Sequence, residues 1–132
     1  MMEEIKTNSL PNMEYGMAYL AHPYTSTSHS PGQYTSPQLN REDTGKITWR
    51  LMRRYTNLTI ISPLHAYSFL DSKNLTETEI LYYDFRLLSR CDMLILSGDW
   101  RHSLGCMSEY GYAKAKGIRI YEYRDGLLYP LE

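Results

Sequence analysis

Short, unbroken apolar runs alternate along this chain with longer segments in which apolar residues recur every three or four positions. The runs are Met17-Ala-Tyr-Leu-Ala21, Leu58-Thr-Ile-Ile-Ser62 and Met93-Leu-Ile-Leu96. Runs of this length, bounded by Gly, Pro, Ser or Asp, read as strands covered on both faces, although pattern alone does not separate them from buried helical segments. Between them the spacing predicts helices. Ser36-Pro37 reads as an N-cap followed by proline at the first helical position, opening a helix to about Tyr55 with Leu39, Ile47, Leu51 and Tyr55 on one face. Arg50, Arg53 and Arg54 suit the negative end of its dipole. Thr76-x-x-Glu79 is a capping box that launches a second helix to about Arg90. Its apolar stripe is Ile80, Leu87, Leu88 and Cys91, and Asp84 falls inside that stripe. A third helix is expected over residues 106–116, closed by Gly117.

Residues 118–123 alternate with period two and read as an edge strand; Asp125-Gly126 marks a turn. The last six residues add a short strand or reach a neighbour. The order is therefore βαβαβαβ, which predicts one α/β domain: a flavodoxin- or Rossmann-like three-layer sandwich with a mostly parallel sheet of four or five strands. Residues 1–15 lack periodicity and are expected to form an extended lead-in to a domain over residues 16–132. Two segments at strand ends, residues 22–36 and 64–74, have no regular pattern. Long loops of this kind tend to be functional or mobile.

Composition narrows the function classes. With 132 residues, 42% hydrophobic and 22% charged, the chain has the make-up of a globular domain. A net charge of −1 argues against a general binder of nucleic-acid polymers or membrane surfaces. No apolar run approaches the roughly 20 residues of a membrane span. The opening Met1-Met2-Glu3-Glu4 lacks the apolar stretch of a secretory signal, so a cytoplasmic location is expected. Cys91 and Cys106 lack metal-ligand spacing and fit a reduced setting; no metal and no organic cofactor is implied. Asn57-Leu-Thr and Asn74-Leu-Thr then read as chance matches to glycosylation acceptors. Thirteen tyrosines stand out. They suit ligand stacking and subunit contacts, or serve as half-buried core filler.

The chemistry concentrates after the third apolar run. Glu109 lies three residues beyond Cys106 and four before Ala113, on the small apolar face of its helix. Burying a carboxylate there carries a cost on the order of several kcal/mol unless it is paired. In a parallel sheet the carboxyl ends of the strands share one edge. Tyr19, His22, Pro23 and Tyr24, then His65, then Ser103, Gly105 and Glu109 therefore converge, with Asp84 pointing inward from the preceding helix. Two inward carboxylates in unlike surroundings are equipment for cleaving a glycosidic bond. The same two groups also fit a role as core polar links to Arg, Tyr or His.

The segments Ala18-Tyr-Leu-Ala-His-Pro-Tyr24, Ile61-Ser-Pro-Leu-His65 and Asp84-Phe-Arg-Leu-Leu-Ser-Arg-Cys-Asp92, followed by Ser103-Leu-Gly-Cys-Met-Ser-Glu109, resemble the nucleoside 2-deoxyribosyltransferase superfamily over about residues 17–123. They are similar in particular to its small bacterial and phage members and to the 2′-deoxynucleoside 5′-phosphate N-hydrolases. The resemblance implies that Glu109 attacks the anomeric carbon, that Asp84 contacts sugar or base and shuttles a proton, and that Tyr19 lines the sugar pocket. It implies that Ser103 binds a 5′-phosphate, with N–H groups around Gly105 adding to the anion site. It also implies a small-molecule nucleoside or nucleotide substrate and a homo-oligomer, dimer or larger. Residues 22–37 depart from the Gly-rich, Arg-bearing pattern of the nucleotide hydrolases. His22, Tyr24 and His29 there bind base or phosphate or stand idle. His65 covers the base or caps its loop, Arg101 and His102 suit a phosphate or a solvated rim, and Trp100 walls the pocket or packs under the loop. Two rival functions remain: a nucleotide-binding or sequestering module without turnover, and an NAD-type glycohydrolase.

Overall fold

The computed structural model describes residues 16–24, 26–27 and 34–131. The expected lead-in over residues 1–15 and His29 lie outside them. The elements in order are β1 (Gly16–Ala21), β2 (Ser26–Thr27), β3 (Tyr34–Thr35), α1 (Pro37–Arg54), β4 (Leu58–Ile61), α2 (Pro63–Ala66), α3 (Glu77–Leu88), β5 (Met93–Leu96), α4 (Leu104–Lys116), β6 (Arg119–Arg124) and β7 (Leu127–Leu131). The main sheet runs β4-β1-β5-β6-β7. Its first four strands are parallel and β7 is antiparallel.

Period-two alternation splits the core into two layers. From β1 and β5, Tyr19, Ala21, Leu94 and Leu96 face α3 and α4, where Leu88, Cys106 and Ala113 meet them. Ala18, Leu20, Met93 and Ile95 face α1, packing on Ile47, Leu51 and Tyr55. The result is a Rossmann-like three-layer α/β sandwich, as the order of elements implied. All four residues of β5 are buried, as a central strand covered by helices on both faces requires.

Several expectations are corrected. Leu39 is 55% exposed; the buried face of α1 instead carries Asn40 and Thr44 ahead of Ile47 and Leu51. Their polar groups are satisfied locally. Asn40 Nδ2 donates to the Tyr24 carbonyl at 2.9 Å, and Thr44 Oγ1 donates to the Asn40 carbonyl at 2.7 Å. Residues 64–74 are not a loop throughout. Proline at the first helical position after Ser62 pre-sets φ for the single turn of α2, and a 3₁₀ turn over Ser68–Ser72 follows. Residues 22–36 contain a small antiparallel pair, with Ser26 opposite Thr35 and Thr27 opposite Tyr34.

β6 is not the edge. Asp125 and Gly126 both adopt positive φ, 48° and 86°, the conformation of the two-residue turn that closes a twisted hairpin, and β7 pairs outside β6. The last strand is fastened to the opposite layer by the Leu128 N–H, which donates to Tyr55 Oη at 3.0 Å. The capping box of α3 is formed in both directions, Glu79 N–H to Thr76 Oγ1 at 3.2 Å and Thr76 N–H to Glu79 Oε1 at 3.0 Å. Gly117 closes α4 in the left-handed region, φ 72°. Among the described residues, no helix is long and apolar enough to cross a membrane.

Candidate active site

Strands β1 and β5 are neighbours, yet the chain reaches them from opposite directions: β1 leads through α1 out to β4, and only then does the path cross to β5. Loops leaving the two strands diverge and open a crevice at their carboxyl ends. A cavity of about 210 Å³ lies there, with room for a pentose-sized group. The end of β1, the α2 turn, one face of α3, and His102 and Ser103 with the start of α4 wall it.

Glu109 stands at its back, 5% exposed. The sixth residue of α4, it faces the sheet with Cys106 and Ala113, as its spacing predicted. Tyr19, wholly buried at mid-β1, donates its hydroxyl to Glu109 Oε2. Asp84 enters from the inner face of α3, half-buried, and the Tyr19 hydroxyl faces it as well. Burial pushes the Glu109 carboxyl up to about 8; the Asp84 charge adds to this, and the Tyr19 hydrogen bond opposes it. Burial likewise pushes Asp84 up to about 6, with Tyr19 opposing. Tyr19 itself is held well above its ordinary value by burial and then by both carboxylates, so it remains a donor. Its single proton serves one carboxylate at a time. When that proton points at Glu109, a proton on Asp84 completes a chain from Asp84 through the Tyr19 oxygen to Glu109. In that state Glu109 is the anion and Asp84 the acid; since Glu109 holds its proton more firmly than Asp84, it is the less populated form of the singly protonated pair.

Of the other expected residues, His22, Tyr24, Ser103 and Gly105 line the cavity, whereas Pro23 and His65 do not. His22 and Tyr24 reach the cavity, and both His22 and Pro23 pack on Gly98, which has φ +65° and whose missing Cβ would lie 2.9 Å from His22 Nε2 and 3.1 Å from the Pro23 ring. In the single turn of α2, successive side chains diverge by about 100°. Leu64 therefore meets the cavity, while His65 turns to Gly45 of α1 and bonds Ser62 Oγ through Nδ1 at 2.7 Å. Both nitrogens of the buried His22 ring are engaged: Nε2 with Asp43 Oδ2 at 2.6 Å, Nδ1 with the Pro23 carbonyl at 3.0 Å.

Ser103 is the N-cap of α4, accepting the Cys106 N–H on Oγ at 3.2 Å. The helix therefore begins at Leu104 rather than at Cys106. Trp100 packs under the loop, 5% exposed, and donates Nε1–H to Glu122 Oε2 at 2.8 Å. Arg101 also donates to that oxygen, at 2.7 Å, and stacks over the Trp100 ring. Arg101 is thus held on Glu122 of β6 and does not line the cavity. His102 lines the cavity, with Nδ1 on Asp99 Oδ1 at 2.7 Å. Glu77, at the start of α3, lines it too and was missed, since an acid in a first turn already has a reason in the helix dipole. Burial pushes the Cys106 thiol far up, which removes it as a nucleophile. Among the described residues, no group of three His, Cys, Asp or Glu side chains is placed to hold a metal ion.

Fold and site together define the class: a Rossmann-like α/β domain with paired carboxyl groups in a cavity at the point where the strand order reverses. No family model and no curated protein sequence matches the chain. Among solved structures, the crystal structure of a conserved protein from Enterococcus faecalis V583 is similar, with a TM-score of 0.61 and 19% identity over 84% of this chain. This chain spans 65% of that protein's length. At that identity the likeness shows the fold.

Proposed function

We propose that the protein cleaves the N-glycosidic bond of a 2′-deoxynucleoside or its 5′-phosphate through a covalent glycosyl-Glu109 intermediate. The observation that carries this reading is the buried Glu109 carboxyl at the back of a sugar-sized cavity, accepting the Tyr19 hydroxyl beside Asp84. Ionised Glu109 attacks C1′ and forms an ester. The C1′–N bond breaks, its electron pair leaves with the base, and the base takes up the proton held by Asp84. Water or a second base then attacks C1′, gives its proton to the Asp84 carboxylate, and the ester bond breaks to free Glu109 as the carboxylate. Water makes the protein a hydrolase; a base makes it a deoxyribosyltransferase. The closed surroundings of Glu109 favour this step, because attack on C1′ disperses a charge that the site solvates poorly.

The test is chromatography of deoxynucleosides and deoxynucleoside 5′-monophosphates incubated with the protein, with and without free bases. Released or exchanged base is expected, and Glu109→Gln should abolish it while the fold persists. Full activity in that variant would remove Glu109 as nucleophile. Thermal stabilisation by a nucleoside with no base released over hours would make the protein a binding module.

A further inference from the structure

If the cavity holds the sugar of a cleaved nucleoside, as proposed, its charge discriminates between the free nucleoside and the 5′-monophosphate. Three carboxyl side chains line the space: Glu77, Asp84 and Glu109. Among the described residues no lysine or arginine lines it, and its two histidines, His22 and His102, are each already bonded to an aspartate at 2.6 and 2.7 Å. Of the arginines beside lining residues in the chain, Arg86 donates to Tyr82 Oη at 3.3 Å and Arg101 to Glu122, while Arg41 Nε donates to the backbone carbonyl of Leu64 at 3.1 Å. The sequence holds no lysine or arginine from residue 22 to residue 40, so the long loop brings none.

Two helix starts bring partial positive charge to the wall: that of α3 already carries Glu77 in its first turn, and at that of α4 Ser103 Oγ takes the Cys106 N–H at 3.2 Å. A helix N-terminus is worth about half a unit charge. A phosphomonoester brings a charge of about −1.5 to −2 at neutral pH. It would add this beside Asp84 and Glu77, and would raise Glu109 further from the ionised state in which it attacks.

We infer that the cavity takes the unphosphorylated nucleoside and turns away its 5′-monophosphate, with Glu77 at the start of α3 as a specificity-determining residue. Ser103, expected to hold a phosphate, acts as the helix cap and offers its hydroxyl hydrogen to a neutral sugar hydroxyl. For a dianion about 8 Å from one carboxylate, at an effective dielectric constant of about 40, the repulsion corresponds to about a 30-fold preference for the nucleoside in kcat/KM.

The experiment compares thymidine and 2′-deoxyadenosine with their 5′-monophosphates, by base release and by thermal shift, in the wild-type protein, Glu77→Lys and Glu77→Asp. Wild type should favour the nucleosides about 30-fold, and less at high salt, where screening weakens the repulsion. Glu77→Lys should move the ratio towards the monophosphates by about tenfold or more, and Glu77→Asp should restore the wild-type ratio. Monophosphates cleaved as well as or better than nucleosides would overturn the inference while upholding glycosidic cleavage. A ratio unmoved by Glu77→Lys would remove Glu77 from the discrimination. If no substrate releases base, the cleavage reading falls and the thermal shifts decide: stabilisation by nucleosides alone supports the selectivity, and stabilisation by monophosphates, or by neither, overturns it.

Discussion

Replacing Glu109 by glutamine should stabilise this protein, increasingly so as pH rises. The folded state holds the Glu109 carboxyl at about 8, against an ordinary value of 4.5. Between those two values the unfolded chain releases the proton while the fold retains it, so stability falls as pH rises through the window and levels off above 8. Each pH unit crossed inside the window removes about 1.4 kcal/mol, so the loss reaches about 3 kcal/mol at pH 7. Glutamine has the same shape, still accepts the Tyr19 hydroxyl and does not titrate.

For a chain of this size 1 kcal/mol moves Tm by about 3–5 °C, so the variant should melt about 10 °C above wild type at pH 7–8 and within about 2 °C of it at pH 4. Differential scanning calorimetry of both proteins across pH 4–9 measures this, and the difference between them cancels most other titrations. A Tm difference that stays constant with pH, or a variant less stable at pH 8, would refute the claim that Glu109 is buried at an electrostatic cost. The same substitution should abolish turnover, which makes the cost a property of the site rather than of the fold.

Three further outcomes are expected. The Asp84–Glu109 pair titrates with values of about 6 and 8, and its working form carries one proton, so kcat/KM should be bell-shaped with limbs near those values; a monotonic rise through pH 9 would show that Asp84 supplies no proton. Gly98→Ala meets φ +65° and a Cβ 2.9 Å from His22 Nε2, and should cost about 2–3 kcal/mol in urea unfolding while displacing the His22 wall; wild-type stability and activity would refute the close approach. Thr76→Ala removes a capping box formed in both directions and should cost about 1 kcal/mol, read from the same urea midpoints, with no loss if α3 is held by tertiary contacts alone.

Much of the site was legible because helix and strand periods are local. Spacing alone put Glu109 and Asp84 on inward faces, and the βα order put Tyr19 and Ser103 at one sheet edge. The errors came where a side chain's direction depends on distant packing. Helical spacing puts Leu39 on one face with Ile47, Leu51 and Tyr55, but the inner positions of α1 belong to Asn40, which holds the Tyr24 carbonyl, and Thr44. His65 and Arg101 were possible ligand groups until Gly45 and Glu122 claimed them.

The sequence by itself determined the alternation of strands and helices, the caps that bound them and the residues able to do chemistry, because those depend on neighbours within one turn or one strand. Only the tertiary structure decided which of those residues share a cavity, that β7 rather than β6 forms the edge, and that three carboxyl groups line one cavity with no arginine among the described residues lining it. Such meetings join positions up to 90 residues apart, such as Tyr19 and Glu109. They arise from the crossing of β1, α3 and α4, which no local pattern encodes.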